Sequence, residues 1–240
     1  MIDRRQMFAG ALASPVVAGA LASPAFAADD AADKRLHEDW AWIGRYAEDN
    51  RRLIAAHSRV GVVFLGDSIT EGWRDKRPGF FTPGRIGRGI SGQTTPQMLV
   101  RFMPDVVALR PKAVHIMAGT NDIAGNTGPM TLEQTTANLT AMAQLAKANG
   151  IRVILASVPP ANGFPWRPGL ETVAPIRAIN AWMKGWAARN DAAYVDYTSV
   201  LADASGGMRP GLAFDGVHPT EAGYDAMATV IEPLLKRLRL

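Results

Sequence analysis

Short strand-like runs alternate along this chain with longer stretches of helical periodicity, and that alternation most restricts the folds open to it. Residues 60–65 (VGVVFL), 113–118 (AVHIMA) and 151–156 (IRVILA) are apolar enough for strands buried on both faces. Residues 85–90 form a weaker second run, and residues 193–195 a short fifth one. Between them lie helical patterns. Residues 131–149 open with a Thr131/Gln134 capping box and close on Gly150. Residues 175–190 carry an apolar stripe at Ile176, Ile179, Met183 and Trp186. Residues 220–240 carry one at Met227, Ile231, Leu234 and Leu238, interrupted by Pro233. A first helix is expected over residues 34–56, with Leu36, Trp40, Ile43, Tyr46 and Leu53 on one side. Strands alternating with helices predict an α/β fold, a parallel sheet covered on both faces. Ligands of such sheets bind beyond the carboxyl ends of the strands.

The first residues have a different character. Residues 1–27 place Arg4 and Arg5 before an Ala/Val/Leu-rich stretch and end on Ala25-Phe26-Ala27, the three-part layout of a secretory signal peptide. The paired arginines resemble the twin-arginine export signal; an ordinary Sec leader is the alternative. The expectation is an exported, periplasmic or secreted protein with one domain over residues 28–240. The apolar stretch is short and broken by Pro15 and Pro24, so no stable membrane insertion is expected. The chain has no cysteine, which excludes disulfides and thiolate chemistry. Its net charge of +4 comes from scattered lysines and arginines, a distribution that argues against nucleic-acid binding.

Polar segments follow the predicted strands. Gly66-Asp67-Ser68 comes after the first, Gly89-Ile90-Ser91-Gly92 after the second and Gly119-Thr120-Asn121-Asp122 after the third. Asp215-Gly216-Val217-His218-Pro219 precedes the last helix. In order and spacing these resemble the four blocks of the SGNH/GDSL hydrolase superfamily, over residues 60–224. The resemblance implies a three-layer αβα sandwich with a five-stranded parallel sheet in flavodoxin-like order. It also implies a serine esterase working without metal or organic cofactor, on a small-molecule or glycan ester. The forms "GDSIT" and "GTNDI" resemble members that remove small acyl groups from carbohydrates, and also lysophospholipase and thioesterase relatives. A non-catalytic carbohydrate-binding module on the same fold is the alternative from another class.

The chemistry of the residues fits that implication. Ser68, between a strand and a helix start, is either a nucleophile or a helix cap. His218 is the candidate base, since imidazole exchanges a proton near neutral pH. Asp215 can orient it across the turn that Gly216 allows, although the pair could instead cap the following helix. Asp196 is a rival acid. The oxyanion donors would be the Ser68 and Gly89 backbone N–H groups and the Asn121 amide, with an Asx turn as the alternative role for Asn121. Trp73 and Trp166, expected in loops after strands, are candidate substrate walls. Asp122 is a candidate at the substrate edge, or a tie between loops. Gly87 to Gly92 also fits the dinucleotide pattern G-x-G-x-x-G, but no acidic residue stands about 20 positions later on a strand end. His115 is read as structural, and His37 and His57 as solvated.

Overall fold

The computed structural model describes residues 33–240. The leader-like residues 1–27 and the expected cleavage point after Ala27 lie outside the described residues. Residues 39–240 form one compact unit, and residues 33–38 are a helical segment assigned to a separate N-terminal unit. Among the described residues, no helix is long and apolar enough to cross a membrane.

The compact unit contains five strands: β1 (Val62–Gly66), β2 (Arg85–Gly89), β3 (Ala113–Met117), β4 (Arg152–Ala156) and β5 (Ala193–Val195). All pair in parallel, in the order β2-β1-β3-β4-β5. This is the flavodoxin-like order. Its nine α-helices are α1 (Ala47–Ala55), α2 (Ser68–Lys76), α3 (Thr95–Val100), α4 (Phe102–Asp105), α5 (Thr120–Ala124), α6 (Leu132–Ala148), α7 (Val173–Arg189), α8 (Thr198–Leu201) and α9 (Glu221–Leu238). Helices α2 and α9 cover one face of the sheet, and α6 and α7 the other. Every residue of β1 and β3 is buried, so their unbroken apolar runs reflect a strand shielded from both sides.

The helix ends follow the local chemistry. Thr131 and Gln134 form the expected capping box of α6. Thr220 caps α9 by accepting a bond from the Gly223 N–H, and the helix continues through Pro233. The expected long first helix is divided. Trp42 adopts a left-handed backbone (φ 51°), and the Asp39 carboxylate accepts bonds from the Ile43 and Gly44 N–H groups. The 3₁₀ turn Ile43–Tyr46 and then α1 follow. Trp40 and Ile43, read from the sequence as part of one apolar face, each remain 39% exposed.

Register sets up the site. Gly66 at the end of β1 pairs with Gly89 of β2 on one side and Met117 of β3 on the other. The loops leaving these three strands therefore start side by side, at the carboxyl edge where the switch in strand order opens a crevice.

Candidate active site

Ser68 is the first residue of α2, directly beyond β1. Capping falls to its neighbour: the Asp67 carboxylate accepts a bond from the Ile69 N–H at 2.9 Å. The Ser68 hydroxyl is thereby released, and its Oγ lies 2.8 Å from His218 Nε2. Two side chains 150 positions apart meet there. Asp67 itself is fully buried. Burial pushes its carboxyl up to about 6, against the opposing pull of the Ile69 hydrogen bond and nearby His218.

His218 Nδ1 lies 2.7 Å from Asp215 Oδ2. The other carboxylate oxygen accepts from the backbone N–H groups of His218 (2.7 Å) and Val217 (3.0 Å). Partial burial raises the Asp215 carboxyl, but these bonds outweigh it and hold the group below its ordinary value. An ionised carboxylate only accepts hydrogen bonds, so Nδ1 carries the proton and the Nε2 lone pair faces the serine hydroxyl. With Thr220 capping α9, Asp215 and His218 are not needed for that role. The rival Asp196 instead accepts from the Thr198 N–H and hydroxyl at the start of α8.

Asn121 is buried in the first turn of α5. Its Nδ2 donates to the Gln93 carbonyl at 3.0 Å, and its Oδ1 accepts from Asn126 Nδ2 at 2.8 Å. This is a fixed amide rather than an Asx turn, with its second N–H left over. The same Asn126 Nδ2 also reaches the Gly92 carbonyl at 3.2 Å, which places Gly92 beside Asn121.

The expected donor Gly89 is placed elsewhere. The bond from the Ile90 N–H to the Gly66 carbonyl turns the Gly89 peptide toward the outer edge of β2, where its carbonyl accepts from the Tyr46 hydroxyl. Glycine is required there for packing: a Cβ would sit 2.2 Å from Glu71 N and 2.7 Å from Asp67 O. Gly92, three residues on, is exposed at φ 77°, a conformation that favours glycine. Its N–H enters no hydrogen bond among the described residues.

Residues that the sequence reading did not single out hold this loop. Glu71 accepts from the Ser91 N–H (2.9 Å) and hydroxyl (2.6 Å) and pairs with Arg45 at 2.9 Å. Arg101 is completely buried. It donates to the Gly66 carbonyl just before Asp67 and to Gln93 Oε1, and it pairs with the equally buried Asp105 at 2.9 Å. A capping box at Thr94 and Gln97 marks α3 in the sequence, but nothing local announces that Arg101, a few residues later, turns inward.

The proposed walls divide. Trp166 is exposed, lies flat on Phe164, and has its ring centroid 5.8 Å from that of His218. Trp73 is fully buried. It falls four residues after Ile69 on the sheet-facing side of α2, stacked between Phe80 (4.5 Å) and Tyr224 (5.7 Å). The expectation of a loop at Trp73 fails because α2 runs on to Lys76, and Trp73 belongs to the core. Asp122 is also buried away from any substrate. Its carboxylate accepts from the Thr95 N–H and from the hydroxyls of Thr95 and Thr135, so it ties loops together. The second exposed wall is Phe214, stacked on the His218 imidazole with ring centroids 5.6 Å apart.

The sequence profile of the GDSL-like Lipase/Acylhydrolase family matches residues 64–226, which contain Ser68, Gly92, Asn121, Asp215 and His218. The chain is 29% identical to Esterase TesA of Pseudomonas aeruginosa over 155 residues, 64% of this chain and 70% of that one. A GDSL-like lipase from Bacteroides thetaiotaomicron VPI-5482 superposes with a TM-score of 0.77 at 44% identity, covering 83% of this chain and 99% of its own. A candidate acylhydrolase from Bacteroides fragilis NCTC 9343 superposes with a TM-score of 0.79 at 43% identity, covering 83% and 98%. The chain belongs to the GDSL-like lipase/acylhydrolase family, within the SGNH/GDSL hydrolases, and is a carboxylic ester hydrolase.

Proposed function

We propose that the protein removes short acyl groups, acetyl foremost, from carbohydrates or similar small alcohols through an acyl-Ser68 intermediate. The continuous Asp215–His218–Ser68 hydrogen-bond chain carries the acyl-serine part of this reading. Ser68 Oγ attacks the ester carbonyl as its proton passes to His218 Nε2, and Asp215 stabilises the imidazolium that forms. The carbonyl oxygen gains negative charge and is met by the Ser68 and Gly92 N–H groups and the free Asn121 N–H. As the tetrahedral centre collapses, the C–O bond to the alcohol breaks and His218 returns its proton to the departing oxygen. Water then repeats the sequence on the acyl-serine and releases the acid. No step asks for a metal.

The exposed rings of Trp166 and Phe214 beside the imidazole suit the flat apolar side of a sugar ring on the alcohol side. One observation favours a second reading, a longer acyl chain. An apolar cleft of about 290 Å³, lined by Ile123, Met130, Leu170 and Ile179, lies beside α5. A series of 4-nitrophenyl esters from acetyl to long acyl decides between the two. The short-acyl reading expects kcat/KM to fall steadily beyond a few carbons, and a rise toward long chains overturns it. Ser68→Ala should abolish both turnover and acyl labelling at an unchanged Tm. We propose export as well: N-terminal sequencing of periplasmic material should begin at Ala28.

A further inference from the structure

The sheet has a second edge, at the amino ends of its strands. Helices α1, α6, α7 and α9 end there, bringing unpaired carbonyls and the negative ends of their dipoles. Some cations on this edge are consumed by that need. Arg152 donates to the Leu238 carbonyl at 2.9 Å, Lys147 to the Asn190 carbonyl at 2.7 Å and Lys112 to the Arg239 carbonyl at 3.4 Å.

Three others are not. His57, Arg59 and Arg110 join Lys112 around an open cleft of about 580 Å³ between the end of α1 and the 3₁₀ turn Val107–Leu109. Its floor is apolar, with Leu53, Ile54 and Leu109, and among the described residues no carboxylate lines it. Among the described residues, the side chains of His57, Arg59 and Arg110 bond neither a carboxylate nor a carbonyl. His57 and Arg110 both sit at φ 48°, directly after a helical turn, where glycine adopts the conformation with least strain. The chain accepts a conformational cost at two positions and presents a basic side chain at each.

We propose that this cleft binds a phosphate monoester with an apolar alcohol, its anion held by Arg59, Arg110 and His57 and its apolar part resting on Ile54. Arginine suits the phosphate group because its planar fork donates two parallel hydrogen bonds. The apolar floor distinguishes the ligand from inorganic phosphate. The cleft lies at the far end of β1 from Ser68, about 15 Å away by strand length, so occupation does not block the ester site.

Calorimetric titration of the full chain with phenyl phosphate, inorganic phosphate and phenol tests the proposal. Saturable binding is expected for phenyl phosphate, weaker binding for inorganic phosphate and none for phenol. The variant Arg59→Gln/Arg110→Gly should bind phenyl phosphate at least about tenfold more weakly, the scale of one lost charge-assisted hydrogen bond. Its hydrolysis of 4-nitrophenyl acetate should be unchanged, and its Tm should not fall, because glycine relieves the positive φ at residue 110. Equal binding by the variant, no saturable binding, or competitive inhibition of ester hydrolysis by phenyl phosphate would overturn the proposal. Co-sedimentation with vesicles containing phosphatidic acid, a lipid phosphate monoester, lost in the variant, would identify a lipid headgroup as the source. Phenyl phosphate binding without co-sedimentation would identify a soluble one.

Discussion

The two edges of the sheet use polar side chains in opposite ways. Around Ser68 they are committed to one another. Asp215 holds His218, Gln93 and Asn126 hold Asn121, Glu71 holds Ser91, and Arg101 ties Gly66 to Gln93. At the amino edge, Arg59 and Arg110 project into an open cleft with no such commitments. The difference shows what each edge can do. A reacting edge needs groups fixed before substrate arrives, since reorganisation during the reaction would cost rate. A binding cleft can leave its cations to water until an anion displaces it. Substitutions at the first edge should therefore be costly and coupled, and those at the second mild and independent.

The largest effect expected is at His218. His218→Ala should lower kcat/KM on an activated acetyl ester by about 10⁴-fold or more, and Ser68→Ala/His218→Ala should be hardly worse than either single change. Losses that multiplied in the double variant would show that the two do not act as one unit. Asp215→Asn should follow at about 10³- to 10⁴-fold in kcat, because an amide does not hold the Nδ1–H tautomer. A much smaller loss would return Asp196 to consideration. For Arg101→Met the expected reading is stability: about 3–5 kcal/mol lost, because Asp105 is left buried without its partner. A stable Arg101→Met protein with full activity would show that the carboxyl edge is less interlocked than its hydrogen bonds imply. Asn121→Ala should cost about 10²- to 10³-fold in kcat, with KM nearly unchanged.

What could be read in advance followed the range of the interactions. The strands were legible because burial on both faces leaves continuous apolar runs, and α6 because its capping box is a local signal. Ser68, Asp215, His218 and Asn121 were legible as short motifs. Gly89 and Gly92 lie in one motif, and only the direction of the Gly89 peptide and the nearness of Glu71 separate a packing glycine from an exposed one. Trp73 was misplaced although Pro78, which disfavours a helical Arg77, marks the end of α2 in the sequence; the burial of the Trp73 ring depends on Phe80 and Tyr224, which only the assembled fold brings to it. Arg101 and Phe214 were invisible for the same reason: their partners Gly66 and His218 belong to different parts of the chain, or gain meaning only once the loops are assembled.

A smaller effect joins the interior to the edge above it. Burial drives the His115 imidazole down to about 3, and His115 Nε2 lies 2.9 Å from the Tyr197 hydroxyl. The unfolded chain takes up that proton below about 6.5, so acidification from there toward 3 removes stability, at about 1.4 kcal/mol per pH unit. Asp67 works with the opposite sign. Its folded form holds a proton below about 6, the unfolded one only below about 4, so acidification across that window adds stability at the same slope. Between pH 6 and 4 the two contributions offset one another. His115→Phe should lower Tm at pH 7, where the Tyr197 hydroxyl loses its partner. The variant should also lose less Tm than the parent on going to pH 4.5, because Asp67 is then uncompensated. Parallel Tm curves for the two proteins would mean that His115 does not carry the acid sensitivity.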